Sequence, residues 1–254
     1  MNILFLGTGT STGVPSLCCD CEVCLSDDPR NKRLRASILV RNNGHHILVD
    51  TSTDLRQQCL TYKVKHISSV LYTHHHADHV HGIDELRSFN HFNGTVIPCY
   101  GRQATLSNLS EKFDYIFSPE TQTGGGLPRL KFNPVDSEPF SLGGVEVTPL
   151  DILHGQMTIT GYKFNNTAYV TDCSQIPENT MKRLAGLDLL ILSALGFKPH
   201  PTHICLSEAL EIIETLKPKR ALLTHINHTF DHETVSRELP DGVELAIDGM
   251  EVEL

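Results

Sequence analysis

No apolar stretch in these 254 residues approaches the ~20 that a membrane-spanning helix needs. Basic residues are also scarce, with 21 Lys and Arg against 30 Asp and Glu, a formal net charge of −9. The first shortage excludes a spanning helix. The second argues against broad nucleic-acid binding, which needs a positive surface, and no long basic arm interrupts the sequence. Signal-peptide patterning is missing as well, so the expectation is a cytoplasmic protein. Neither a repeat nor a linker breaks the chain, and 39% hydrophobic content is enough to bury a large core. The expectation is one domain over residues 1–254.

Histidine is abundant instead, 15 residues in all, and its placement is informative. Thr73-His74-His75-His76-Ala77-Asp78-His79 directly follows the apolar run Val70-Leu71-Tyr72. Imidazole and carboxylate are ligands that first-row divalent ions accept. In extended backbone, side chains at i and i+2 share a face, so His74 and His76 can grip one ion together. If the chain then turns into a helix, Asp78 and His79 swing toward a second position. Two ions ~3.5–4 Å apart form a hydrolytic centre. The bland alternative is a solvated histidine-rich turn, but order and context both favour metal.

Three later strand ends supply further ligand types. His154 follows Val145–Leu150 in a Leu153-His154-Gly155 turn, Asp172 ends Ala168-Tyr169-Val170-Thr171, and His225 ends Arg220–Thr224. Polar residues at the C-terminal ends of apolar strands are where α/β architectures gather their chemistry. Singly, each reads as a cap or turn residue. Together with the histidine motif they form a constellation.

Half of the eight cysteines lie in Cys18-Cys19-Asp20-Cys21-Glu22-Val23-Cys24. In a reducing compartment, thiols so crowded favour one tetrahedral zinc over a disulfide. Three cysteines need a fourth ligand, and His228, three residues beyond His225, is the natural candidate. A closed Cys₃His site has no open position and would be structural. The remaining Cys59, Cys99, Cys173 and Cys205 sit in apolar surroundings and read as buried, inert thiols.

Strands are expected at Asn2–Leu6, Ser37–Arg41, His46–Val49, Ser69–Tyr72 and Val96–Tyr100, then at Val145–Leu150, Thr158–Phe164, Ala168–Thr171, Leu187–Leu192, Arg220–Leu223 and Glu244–Ile247. Helical patterns fit Thr53–Thr61, Gly82–His91, Arg102–Phe117, Pro177–Leu184 and Leu206–Leu216. Asn42-Asn43-Gly44 and Asn165-Asn166 mark hairpins. Two strand sets with helices outside give an α/β fold, an αββα sandwich of two mixed β-sheets flanked by helices.

The constellation resembles the metallo-β-lactamase fold hydrolases through nearly the whole chain. That resemblance implies one ion on His74, His76 and His154, another on Asp78, His79 and His225, and Asp172 bridging them, as Mn²⁺ or Zn²⁺. The opening Leu6-Gly7-Thr8-Gly9-Thr10 looks like the first strand and glycine turn of the phosphodiesterase branch, which includes the tRNA 3′-processing endonucleases. It lacks the Lys of a P-loop, which rejects nucleoside triphosphate binding. Cys-x-Cys-x-x-Cys early and His-x-x-His late resemble the PhnP-type phosphodiesterases of carbon–phosphorus lyase operons. In that comparison Cys19, Cys21, Cys24 and His228 fall on structural zinc positions, with Cys18 an extra thiol unless the register shifts. His203 falls on an active-site histidine thought to help protonate the leaving group. Without the resemblance it would be a helix-start residue.

What the resemblance implies is a metal-dependent phosphodiesterase acting on a small phosphodiester, of the cyclic ribose phosphate kind, with His203 and Asp78 at the reacting centre. Rival implications are an RNA 3′-processing nuclease and a non-catalytic metal-binding accessory protein, as in pyrroloquinoline quinone biosynthesis. A homodimer is an expectation of the family alone. Asp50 divides evenly between a helix N-cap and an acceptor orienting a ligand histidine. His75 and His81 read as packing or solvent residues, and His45, His46, His66, His200 and His232 as surface. Residues 109–130, with Phe113, Tyr115, Ile116 and Phe117 ahead of Gly124-Gly125-Gly126, form a candidate lid over a small substrate.

Overall fold

The computed structural model describes residues 1–254 except Pro119, Gln122, Thr123 and Gly125. The candidate lid over residues 109–130, with its Gly124-Gly125-Gly126 run, falls partly outside the described residues.

Six strands open the first sheet: β1 (Asn2–Gly7), β2 (Ser37–Asn42), β3 (His45–Val49), β4 (Ser69–Leu71), β5 (Ile97–Gly101) and β6 (Leu130–Pro134). The second sheet follows with β7 (Phe140–Leu142), β8 (Val145–His154), β9 (Met157–Phe164), β10 (Thr167–Val170), β11 (Leu189–Ser193), β12 (Arg220–Thr224) and β13 (Val243–Leu245). The last strand, β14 (Glu251–Glu253), returns to the edge of the first sheet beside β1. The strand orders are β14-β1-β2-β3-β4-β5-β6 and β13-β12-β11-β10-β9-β8-β7. Both sheets are mixed. Antiparallel hairpins turn at Asn43-Gly44 and Asn165-Asn166, while β3 to β6 and β10 to β13 run parallel.

Alternation along the strands builds the layers. In β1, Ile3 and Phe5 join the core between the sheets, with Val40, Val49, Val147, Tyr162, Tyr169 and Ile191. Leu4 and Leu6, on the opposite face, pack under helices with Leu55, Val80, Leu86 and Leu106. The second sheet repeats this, burying Leu190, Leu192, Ala221 and Leu223 against Ala209 and Ile213. The result is the αββα sandwich. Helix Leu206–Leu216 shows the sequence logic best. Its Ala209 and Ile213, four residues apart, are the buried stripe. Glu208 accepts the Cys205 N–H at 2.8 Å to close a capping box, and Lys217 ends the helix in the left-handed region.

Glycines in the opening turn serve close approach. A Cβ on Gly7 would collide with the Arg35 carbonyl, and one on Gly9 would sit 2.8 Å from that of Arg33. The parallel arrangement brings the C-terminal ends of β3, β4, β10, β11 and β12 to one end of the sandwich, and β8 finishes there too. Among the described residues no helix is long and apolar enough to cross a membrane.

Candidate metal centre

At that end of the sandwich, three residues break the usual backbone rules. Asp50, Asp172 and His225 have φ of 64°, 54° and 56°, each just after β3, β10 or β12. Left-handed backbone is uncommon for residues with a side chain, and clusters where the surroundings over-determine it. All three are buried. Each strand therefore ends by turning a polar side chain into the site.

His74 and His76 follow β4, His76 stands at the N-cap of the one-turn helix Ala77–Val80, and Asp78 and His79 lie within that turn. Two donor groups result. One is His74, His76 and His154; the other is Asp78, His79, Asp172 and His225. Within each, the ligand atoms lie within 4.8 Å of one another. Nε2 of His79 is 3.2 Å from Asp78 and 3.1 Å from Asp172, and Nε2 of His225 is 3.1 Å from the other Asp172 oxygen. Asp172 thus divides its two oxygens between two imidazoles.

Hydrogen bonds fix the tautomers. Asp50 accepts from Thr73 N at 2.8 Å, from Thr73 Oγ1 at 2.7 Å and from His79 Nδ1 at 2.7 Å. Thr73 Oγ1 directs its proton to Asp50, so at 3.0 Å it accepts from His74 Nδ1. The Thr202 carbonyl accepts from His154 Nδ1 at 2.8 Å. In His74 and His154 the proton resides on Nδ1 and the Nε2 lone pair faces the cluster, while His79, held by Asp50 through Nδ1, turns Nε2 toward Asp78 and Asp172. His74 Nε2 is buried with no hydrogen-bond partner. An orphaned lone pair beside two carboxylates fits a divalent cation. Burial alone would lower His225, but Asp172 and Asp78 outweigh it and raise the group to about 9. The pull on that proton is the pull a cation would feel.

Of the two readings of Asp50, the acceptor role is the observed geometry. The helix Leu55–Thr61 has Asp54 at its N-cap. The sequence missed Thr73 and Thr202, whose contributions are a relayed proton and a carbonyl. Neither carries a motif.

His203 lies beside this centre. Its ring stacks on His225 at 5.0 Å and meets His154 at 4.7 Å, with Nδ1 3.9 Å from Asp172. Burial first, then the neighbouring His225, push its imidazole down to about 3. It is neutral at pH 7 with Nδ1 buried and unpartnered.

Across the turn from His225, the Nδ1 of His228 approaches Cys19, Cys21 and Cys24 at 3.1, 3.5 and 3.5 Å. Cys18 is exposed and outside this group, so the register leaves it as the extra thiol. The Cys24 backbone draws Cys21 down to about 6, whereas burial pushes Cys24 up to about 11. Sulfurs so close ionise one at a time unless a cation offsets their charge. Cys59, Cys99, Cys173 and Cys205 are buried. His200 is exposed, but His232, expected on the surface, is buried, its backbone N–H held by Asn31.

A fold of two sheets with a histidine-carboxylate centre at the strand ends defines a metal-dependent hydrolase of the metallo-β-lactamase fold. The β-lactamase superfamily domain model matches residues 45–226, and the chain belongs to that family. Within it the chain is PhnP-like. It is 40% identical to a new diphosphatase from the PhnP family, whose crystal structure it matches with TM-score 0.93 over 100% of this chain and 97% of that one. An octanoyltransferase of Porphyromonas gingivalis is 34% identical over 255 residues, 99% of this chain. The chain spans about half of that relative's length, 51%. Coenzyme PQQ synthesis protein B of Rhodopseudomonas palustris is 27% identical over 277 residues, 90% of each chain.

Proposed function

We propose that the chain is a phosphoric diester hydrolase acting on a small phosphodiester, with a cyclic ribose phosphate as the first substrate class. The carrying observation is that the two donor groups adjoin, Asp172 of one and His154 of the other coming together in a third group with His203. In this reading His74, His76 and His154 hold one divalent ion, Asp78, His79 and His225 a second, and Asp172 lies between them. Mn²⁺ and Zn²⁺ both suit these ligands. Cys19, Cys21, Cys24 and His228 hold a structural Zn²⁺. When bound, the paired ions supply Lewis acidity toward the phosphoryl oxygens and a nucleophile from water at neutral pH.

The chain's own residues do the rest. Asp50 locks His74 through Thr73 and locks His79 directly, so neither ring has to reorient. Asp78, a ligand in the one-turn helix, brings negative charge to the reacting centre. His203, neutral at pH 7, offers an N–H as a hydrogen-bond donor to the leaving oxygen; protonating that oxygen requires the imidazolium form, which returns to neutral imidazole on donating. A second reading, cleavage of a diphosphate bond, is favoured by the 40% identical PhnP-family diphosphatase. Both reactions ask the same of the centre, and they differ in what lies beyond the leaving oxygen.

The test is Mn²⁺-supplemented turnover of bis(p-nitrophenyl) phosphate, a cyclic ribose phosphate and a dinucleoside diphosphate, beside a thioester, with His76→Ala as control. Diester or diphosphate turnover that disappears in the control supports the reading, and the preferred substrate decides between its two forms. Thioester turnover alone, or silence with metal bound, overturns it. His203→Ala should lower kcat by about 10²–10⁴ with metal content unchanged. Metal loss in that variant would make His203 structural.

A further inference from the structure

Residues Phe197–His203 leave the fold and return at almost the same point. Leu195 N donates to the Ile204 carbonyl at 3.0 Å and Leu206 N to that of Gly196 at 2.8 Å, which pins both ends of the excursion. Its base is rigid. Asn227 N donates to the Leu195 carbonyl at 2.9 Å, and a Cβ on Gly196 would meet Asn227 and Thr229 at 2.8 Å. The span is stiffened by Pro199 and Pro201, which fix their own φ and restrict the residues before them. Its last residue, His203, is the one against the metal centre. Its first, Phe197, meets buried Phe230 in a tilted contact, centroids 4.6 Å apart, and is 49% exposed.

Two polar groups lie between. Lys198 is exposed. The exposed His200 accepts the Thr202 backbone N–H on Nδ1 at 3.3 Å, so its neutral form carries the proton on Nε2 as a donor. The loop therefore runs from a half-open aromatic face, past an ammonium and an N–H donor, to the leaving-group side of the centre. A half-exposed ring anchored against its own core is one on which a second ring can stack without first being ordered.

We infer that this loop is the leaving-group subsite and that it takes a nucleotide, with an aromatic base on Phe197 and phosphate oxygens toward Lys198 and His200. The inference rests on the phosphoric-ester reading and deepens it. The His200 ring lies 5.2 Å from that of His203, so a group extending from a leaving oxygen at His203 would come to this loop. A ribose phosphate without a base makes no use of Phe197. Stacking accepts any base because each has a π-face, so the subsite selects nucleotides as a class.

The sequence contains no tryptophan, so Phe197→Trp, excited to the red of tyrosine absorption, makes position 197 the fluorescent reporter in the metal-loaded protein. AMP should quench that emission saturably, and ribose 5-phosphate at equal concentration should not. No quenching, or equal quenching by both, overturns the subsite. In the otherwise unaltered enzyme, Phe197→Ala should cut the ratio of kcat/KM for a base-bearing over a base-free substrate roughly tenfold, chiefly through KM. An equal fall on both would make the loop structural and overturn the inference. Quenching by AMP without turnover of any phosphoric ester would support the nucleotide subsite while refuting the hydrolase reading beneath it.

Discussion

Asp50 is the residue on which the centre turns, although it is in neither donor group. Its carboxylate meets a backbone N–H, a hydroxyl and an imidazole, and two of these decide where ligand lone pairs point. Asp50→Asn isolates that role, because Asn tolerates the left-handed backbone at φ 64°. The amide nitrogen would oppose a donor at Thr73 or His79. Metal affinity should fall about 10–100-fold, read by titration of the stripped protein. Unchanged affinity would reduce Asp50 to a turn residue. His225 adds a pH dependence with a definite sign. A proton held up to about 9 must leave before an ion binds, so affinity should rise about tenfold per pH unit below that point and flatten above it. The metal-stripped protein should show the opposite trend. An imidazole raised from 6.5 to about 9 stabilises the fold at low pH, and that contribution fades as pH rises between those values. Thermal unfolding of the stripped protein from pH 6 to 10 measures it, and a rise in Tm across that range would contradict it.

Among the elements, the interior was legible and the edges were not. Strands that bury both faces, such as β10 and β11, announce themselves as continuous apolar runs. Leu206–Leu216 has caps and periodicity together, and both its ends were readable. By contrast β6, β7 and β14 are edge or near-edge strands with alternating exposure, and none stood out from loop composition. Val145–Leu150 proved to run on to His154, because Asp151 interrupts the apolar run without interrupting the ladder. The helix expected at Arg102–Phe117 divides at Phe113, and Phe113 and Ile116 pack on the outer face of the first sheet. Motif spacing revealed which residues meet at the strand ends. It could not reveal Thr73 or Thr202, since a relay and a carbonyl leave no compositional trace. The cysteine loop separates two kinds of support. Its own buried core is only Val14, Val23 and Cys24, so its order depends on the proposed zinc. His225 is held differently, since Ile226 pairs with Thr8 and Thr10, and Asn227 with Leu195. His228→Ala should therefore lose one metal equivalent and expose residues 16–26 to proteolysis, with the other two equivalents retained. Loss of all metal would show that the zinc loop also holds the catalytic turn.

At the scale of the whole molecule, charge separates the small-substrate reading from its RNA-processing rival. The sequence carries −9 formally, and several of its carboxylates lie in or beside the metal centre. Divalent ions there would offset the local field but leave the chain's net charge negative. An anionic substrate then approaches against a repulsive far field and is captured by a short-range attractive one. Salt screens the first, which acts over distances beyond the Debye length of ~8–10 Å, far more than it screens the partly buried second. For a small phosphodiester, kcat/KM should rise a few-fold between about 20 and 200 mM monovalent salt. A polyanion gripped by basic side chains behaves in the reverse sense, because counterion release weakens its binding steeply as salt increases. Turnover of a small diester and of an RNA with a 3′ extension, measured over that range in the same metal-loaded preparation, gives slopes of opposite sign for the two mechanisms. A steep fall on RNA with higher efficiency than on any small substrate would reassign the centre to RNA despite the negative net charge. A rise on the small diester, with RNA inert throughout, is the outcome expected of a site whose attraction is confined to its metals.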